Sequence, residues 1–237
     1  MMREMNSPFQ LIGLSLFFIP YTSATTTQQV GELEYFTESQ STGHKTVFEG
    51  DTLRSEPNQT IKITFIDQSE IWLTPNSELV VTQFKKGPQD NDERFGLNHG
   101  LIRAKIQKNP IGTNRVMIQT RTATMGVRGT DFVVELDQAA TVHLNTLEGQ
   151  VILGKTPQDL QNDKTSTLVP AGHASELTQK DRVPSPAKTF DQEAFVAKLA
   201  KVSPSLGHSV KNSFHHQKPE PVTQKTDKPN GKKRKKH

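Results

Sequence analysis

The residues with most to offer chemically lie close together, at Gly126-Val127-Arg128-Gly129-Thr130-Asp131-Phe132 and at Leu147-Glu148-Gly149-Gln150-Val151. An arginine set between glycines has two uses. Its planar guanidinium, with five donors to place, can tie down a bend through Asp131, Glu148 or buried carbonyls, or it can grip an anionic ligand or a partner's carboxylate. The fold-determining use is expected for Arg128, so Arg128→Ala is expected to lower thermal stability sharply. Asp131 and Glu148 also suggest the carboxylate pair of a glycosidase, which needs ~5–5.5 Å between carboxyl groups for retention and ~6.5–9.5 Å for inversion, inside a cleft. Against that, Asp51, Asp67, Asp131 and Glu148 all fall at turns or strand ends, where carboxylates cap backbone donors.

Other chemistry finds little support. The chain has no cysteine, which removes disulfides, thiolate metal sites and cysteine nucleophiles. Its eight histidines do not fall at metal-ligand spacing, and His215-His216 lies in a polar tail. Neither a G-x-S-x-G elbow nor a glycine-rich phosphate loop occurs. Asn58-Gln59-Thr60 fits a glycosylation sequon by a pattern short enough to arise by chance. No catalytic residue, metal or cofactor is expected.

The elements that would position these residues are short strands. Ile61–Ile66 alternates apolar and polar, as a half-buried strand does. Further strands are expected at Ile71–Leu73, Glu78–Val81, Leu101–Ile106, Val116–Thr120, Asp131–Leu136, Thr141–Leu144, Gln150–Leu153 and Thr167–Val169, with Lys85–Arg94 as an exposed loop. Within Asp131–Leu136, Phe132, Val134 and Leu136 share one face, while Val133 and Glu135 share the other. Turn signals recur every ~8–12 residues, the spacing of an all-β sandwich, barrel or roll. The fold class is therefore all-β: a sandwich or roll of short strands, with a β-helix-like arrangement left open, then one short helix and a disordered basic tail.

The termini differ from this centre. Residues 1–24 read as a signal peptide, with Arg3 at the start, an apolar stretch Leu11–Ile19, the breaker Pro20, and small residues for cleavage after Ala24. That apolar stretch is far short of the ~20 residues that span a bilayer. Residues 25–177 form the β domain, 178–188 a linker, 189–202 a helix capped by Thr189 with Phe195, Leu199 and Val202 on one stripe, and 203–237 a disordered tail. Net charge is +4, but Lys225–His237 holds seven Lys or Arg and one Asp, +6, so the rest of the chain carries about −2 (4 − 6). The basic pI of 9.2 thus comes from the tail. With only 32% apolar residues and a mean hydropathy of −0.62, part of the chain stays outside any core.

On these motifs the chain resembles the FecR domain family. Gly126-Val127-Arg128-Gly129-Thr130-Asp131-Phe132 carries the resemblance most strongly. Phe48–Leu53 looks like the family's G-D-x-[LI] step, Ile63–Leu73 its D-G-S hairpin, Thr74–Leu79 its P-[NG]-[TS]-x-[LV] turn, Leu147–Val151 its E-G-x-V pair, and Pro170-Ala171-Gly172 its closing turn. The likeness covers about Val30–Leu177. Gln68 stands where the hairpin usually has glycine, which requires another turn or a positive φ at Gln68. The resemblance implies an exported all-β domain in which Gly126, Arg128, Gly129, Thr130, Phe132, Glu148 and Gly149 are structural. The family's iron-transport regulators carry a cytoplasmic sigma-binding segment and a membrane helix, whereas a signal peptide is read at this N-terminus, so an anti-sigma role is not carried over. The expected function is a non-enzymatic interaction module of the bacterial cell envelope, periplasmic or secreted, contacting an envelope protein or a polyanionic envelope polymer. Lys232, Lys233, Arg234, Lys235 and Lys236 would supply polyanion attachment without specific nucleic-acid binding. The alternatives are a periplasmic signal-transduction regulator acting in trans with a membrane protein, and an envelope carbohydrate-active enzyme. Oligomeric state stays open.

Overall fold

The computed structural model describes residues 28–37, 40–87, 90–108 and 113–216. The expected signal peptide and the basic run Lys232–Lys236 lie outside the described residues. Among the described residues the fold is all-β with helices at its C-terminal end. The strands, in chain order, are β1 (Gln29–Thr37), β2 (Gln40–Phe48), β3 (Thr52–Arg54), β4 (Thr60–Phe65), β5 (Glu70–Leu73), β6 (Glu78–Lys86), β7 (Asp90–Lys105), β8 (Thr113–Gln119), β9 (Thr124–Val127), β10 (Asp131–Leu136), β11 (Val142–Glu148), β12 (Gln150–Gly154), β13 (Ser166–Pro170), β14 (His173–Leu177) and β15 (Lys188–Thr189). A 3-10 turn at Asp159–Gln161 precedes β13, and two helices follow, α1 (Gln192–Val202) and α2 (Pro204–His216).

The strands make two sheets that share β7. In the first the order is β2-β1-β4-β5-β7-β10-β11-β14-β15, and in the second β3-β6-β7-β8-β9-β12-β13. Neighbours are antiparallel except β7 and β8. Residues 91–99 of β7 pair with β6, and Gly100–Lys105 pair with β10, so the strand changes sheets at Gly100. Gly100 has φ +91, and a Cβ there would lie 2.6 Å from Ser77 Cα. Only glycine suits that bend. The Leu101 N–H donates to the Ser77 hydroxyl at 3.1 Å, the Ser77 N–H donates to the Ser55 hydroxyl at 2.9 Å, and that hydroxyl donates to the Thr74 carbonyl at 2.6 Å. The Thr74 hydroxyl donates to the Leu101 carbonyl at 3.1 Å, so three buried hydroxyl residues satisfy backbone groups that the bend takes out of the ladder.

The inward faces of both sheets contribute to one connected apolar cluster. Phe65 stacks on Phe84 and tilts against Phe95, both at 5.2 Å between centroids. Phe132, Val134 and Leu136 point into this core as their alternation predicts. Val133, on the opposite face, is buried as well because the helices cover it. In the β4–β5 hairpin Gln68 takes the positive φ, +68. The Asp67 carboxylate accepts the Ser69 N–H at 3.0 Å and its hydroxyl at 2.7 Å, which holds the turn without glycine.

Several expectations are corrected. Lys85–Arg94 is not a plain loop: β6 runs to Lys86 and pairs with Asn91 at the start of β7. Its charges hide an alternation in which Asn91, Glu93 and Phe95 are buried while Arg94 turns outward and grips Asp92 through two nitrogens at 3.2 and 3.0 Å. Residues 178–188 are not a free linker, since Ser185 bonds Glu176 and Ser175 and Lys188 enters β15. The first helix starts later than expected and is capped by Asp191, whose carboxylate accepts the Ala194 N–H, while Thr189 pairs in the sheet. Residues 204–216 are helical, not disordered. Ser203 accepts the Leu206 N–H and Pro204 occupies the first helical position, where its missing N–H costs nothing. Leu206 and Val210 are fully buried on one stripe that continues to Phe214.

Glu93 is the unusual occupant of the core. It is fully buried, neither carboxylate oxygen has a hydrogen-bond partner among the described residues, and burial raises its pKa from 4.5 to about 7, with Asp67 and Asp92 adding to the rise and Lys86 opposing it. A folded pKa above the unfolded one means that the native state holds the extra proton, so stability falls as pH climbs from 4.5 to about 7 and the loss is complete above that. Glu93→Gln is expected to remove this dependence. The difference in denaturant stability between variant and wild type should grow across the window by something on the order of 3 kcal/mol. A difference that does not change with pH would show that Glu93 stays ionised in the folded chain.

Candidate functional site

The Gly126–Phe132 segment is the corner where the chain passes from β9 in the second sheet to β10 in the first. Gly129 turns it with φ +62, and a Cβ at Gly129 would lie 2.8 Å from the Lys108 side chain. The β11–β12 turn is stacked against it: Gly149 has φ +74, and a Cβ there would come within 2.9 Å of the Gly129 carbonyl. Thr130 is buried, its carbonyl accepts the Ile106 N–H at 2.8 Å, and its hydroxyl has no partner among the described residues. Gly129, Thr130 and Gly149 thus meet at the corner, while Gly126 faces Leu160 and Phe132 enters the core.

Arg128 does not bind the corner together. Its side chain is exposed and makes no ion pair with Asp131 or Glu148. Asp131 belongs to Arg103 of β7. Arg103 Nε donates to Asp131 Oδ1 at 2.9 Å and Nη2 to Oδ2 at 2.6 Å, with the two residues 3% and 2% exposed. The same guanidinium donates through Nη1 to Ser209 and through Nη2 to Ser213 of α2, both at 2.6 Å. Ser213 also donates to Asp131 at 3.3 Å. Around this polar centre Leu101, Val133 and Leu147 of the sheet pack with Leu199, Leu206 and Val210 of the helices. The Lys198–Glu135 ion pair at 2.9 Å and the Thr60–Ser203 hydroxyl contact at 2.8 Å fasten the helical pair further. The fold-determining arginine is thus Arg103, and α2 completes its bonding.

This arrangement also decides the carboxylate pair. Asp131 is buried with both oxygens on Arg103, whereas Glu148, across the bulge from it, is exposed. Asp131 has no route to a glycosidic oxygen, so the two do not form a glycosidase acid and nucleophile. Among the described residues no group of His, Asp or Glu is placed to hold a metal.

What Arg128 does line is a groove of about 730 Å³ on the outer face of the second sheet. Met117 of β8, Gly126 of β9 and Ile152 of β12 lie in one row across the strands and make its floor. Leu160 of the 3-10 turn overhangs Gly126, so that a Cβ there would stand 3.1 Å from its methyl. Arg115, Arg128 and Lys108 stand on the rim with Gln150 and Gln161, and no acidic residue among the described residues lines the groove.

Comparison with known proteins agrees with this architecture. Residues 51–152 match the family described as FecR protein. Over this segment the chain is similar to FecR. Arg103, Arg115, Arg128, Asp131 and most of the groove lie inside the matched FecR segment, whereas α1 and α2 lie beyond it. A search of curated proteins returns no match. Two solved structures from Parabacteroides distasonis, both described as candidate anti-sigma factors, are similar to the chain. One is 14% identical over 63% of this chain and 64% of the other, with a TM-score of 0.49. The second is 13% identical over 70% of this chain and 75% of the other, with a TM-score of 0.50, and at that identity the likeness is one of fold. The first comparison thus spans less than two thirds of the other chain's length.

Arg103→Met leaves a buried aspartate without its partner and is expected to cost about 3–5 kcal/mol, whereas Arg128→Ala changes stability by less than about 0.5 kcal/mol. The double variant Arg103→Met/Asp131→Leu should recover much of the first loss, because an apolar pair needs no charge balance. Denaturant unfolding measures all three, and hydrogen exchange in 204–214 should rise in the single variant. Arg128→Ala proving the more damaging change would reverse the assignment.

Proposed function

We propose that this chain is a non-enzymatic regulatory protein of the bacterial cell envelope that acts by binding another protein through its FecR domain. The observation that carries the reading is the FecR match over residues 51–152, in a domain where Asp131 of the candidate acid pair is locked into a structural ion pair with Arg103 and so kept from Glu148. The similarity of fold to structures described as candidate anti-sigma factors supports a role in signal transduction. The expected signal peptide at 1–24 favours a periplasmic or secreted location, with the signal passed in trans to a membrane protein. Among the described residues no helix is long and apolar enough to cross a membrane.

The run Lys232–Lys236 favours a second, auxiliary attachment to an anionic envelope polymer. Such attachment is salt-sensitive, whereas specific docking on a folded domain is much less so. Affinity capture from the envelope fraction, with wild type and a variant carrying Gln at 232–236, separates the two. One envelope protein should be retained at a fixed ratio by both forms in 0.5 M salt, a concentration chosen because the Debye length there is only about 4 Å. Retention that disappears with the tail charges would reduce the function to polyanion attachment. Recovery of neither protein nor polymer would end the proposal.

A further inference from the structure

We propose that the groove above Gly126 is a docking site for an acidic, aliphatic peptide segment, held by a carboxylate between Arg115 and Arg128. The proposal rests on the protein-binding role put forward above and names where and what it binds. The strand register supplies the first observation. Val116 of β8 pairs with Val127 of β9, and Val127 with Val151 of β12. One residue along each strand, Arg115, Arg128 and Gln150 therefore form a row, with the two arginines on neighbouring strands. Like charges set opposite each other in a sheet repel. Both side chains are exposed, and neither makes an ion pair with an acid among the described residues. The carboxylate opposite Arg115 is Asp92, which feels its charge but is held by Nε and Nη2 of Arg94. Lys108 adds a third cation at the same rim. A bound carboxylate would relieve this repulsion, and two guanidinium forks can take it by paired hydrogen bonds.

The second observation is the floor. The next row inward, Met117-Gly126-Ile152, is apolar, and its centre has no side chain. Leu160 leans over that gap. An aliphatic side chain of the ligand fits between Met117, Ile152 and Leu160 while its neighbouring carboxylate reaches the arginines. The volume of about 730 Å³ lies within the ~300–1,000 Å³ of ordinary ligand pockets. The Gln150 and Gln161 amides on the rim can donate to and accept from an extended main chain. A lipid surface suits the site less well: of the exposed large apolar side chains Ile66, Leu168, Val183 and Val202, Leu168 alone continues the floor row, next to Ile152, and a single leucine is a small insertion patch.

The test uses the full chain, isotope-labelled, titrated with the blocked peptide acetyl-Leu-Glu-Leu-Glu-Leu-amide and with its Gln counterpart. Saturable shifts are expected at the Gly126, Gly129 and Gln150 amides, at least tenfold weaker binding of the Gln peptide, and the same loss in Arg115→Ala/Arg128→Ala. Replacing Lys232–Lys236 with Gln should leave these shifts in place. Three outcomes overturn the proposal: no shift at those amides, binding that ignores the arginine substitutions but follows the tail, or a response to phosphatidylglycerol vesicles without one to the peptide. If Arg115→Ala/Arg128→Ala captures the envelope partner as wild type does, the regulatory reading stands and the groove is not its site.

Discussion

The buried pair between Arg103 and Asp131 is the constraint on which the outer layers of this protein depend. An ion pair taken out of water is tolerable only when nearly every donor and acceptor finds a partner. Arg103 meets that condition across three elements: it arises on β7, closes on the start of β10, and spends its remaining donors on Ser209 and Ser213 of α2. Without α2, two donors would turn toward an apolar face made of Leu101, Val133 and Leu147. The helical pair is thus integral to the domain, even though it lies beyond the matched FecR segment.

Two corners set up that pair. β7 leaves the second sheet at Gly100 and enters the first, which places Arg103 on the outer face of the first sheet beside Trp72 and Val133. The chain makes a similar passage between β9 and β10, where Gly129 turns it so that Asp131 arrives within reach of that arginine. The hydroxyls of Ser55, Thr74 and Ser77 hold the first corner, and the Gly149 turn backs the second. The sequence run from Gly126 to Phe132 is particular because each residue faces a different environment. Gly126 floors a surface groove, Arg128 faces solvent, Gly129 bends, Asp131 enters a buried pair and Phe132 enters the core.

Local pattern was enough to read the all-β class, the central strands and the inward face of β10, and it narrowed the Gln68 hairpin to another turn or a positive φ, since each depends on alternation or turn chemistry within a few residues. The errors arise where a partner far along the chain decides. Arg128 sits among the motif residues and draws the eye, but Arg103 had the stronger signal: a charge inside Leu101-Ile102-Arg103-Ala104 cannot be buried without an acid to receive it. Ser203-Pro204 followed by Leu206, Val210 and Phe214 was a helix start and an apolar stripe, concealed by the polar residues between them. In β6 and β7 the charge density of 85–94 masked an alternation that only strand pairing makes plain. The groove was the least legible feature, because Arg115, Arg128 and Gln150 become neighbours only through the register of three strands.

These two groups of arginine contacts obey opposite energetics, and that separates what holds the fold from what can vary with function. In the buried pair each charge depends on the other, and removing one exposes the full desolvation cost of its partner. At the groove the arginines are solvated, and the mutual repulsion of two such charges is only about 1 kcal/mol in water even at 4 Å. The fold tolerates that repulsion, and the same weakness of coupling leaves Arg115 and Arg128 free to change without unfolding the sheet. Asp131 and Arg128 are three residues apart in one motif, yet a substitution at the first alters the domain and a substitution at the second alters only what its surface can hold.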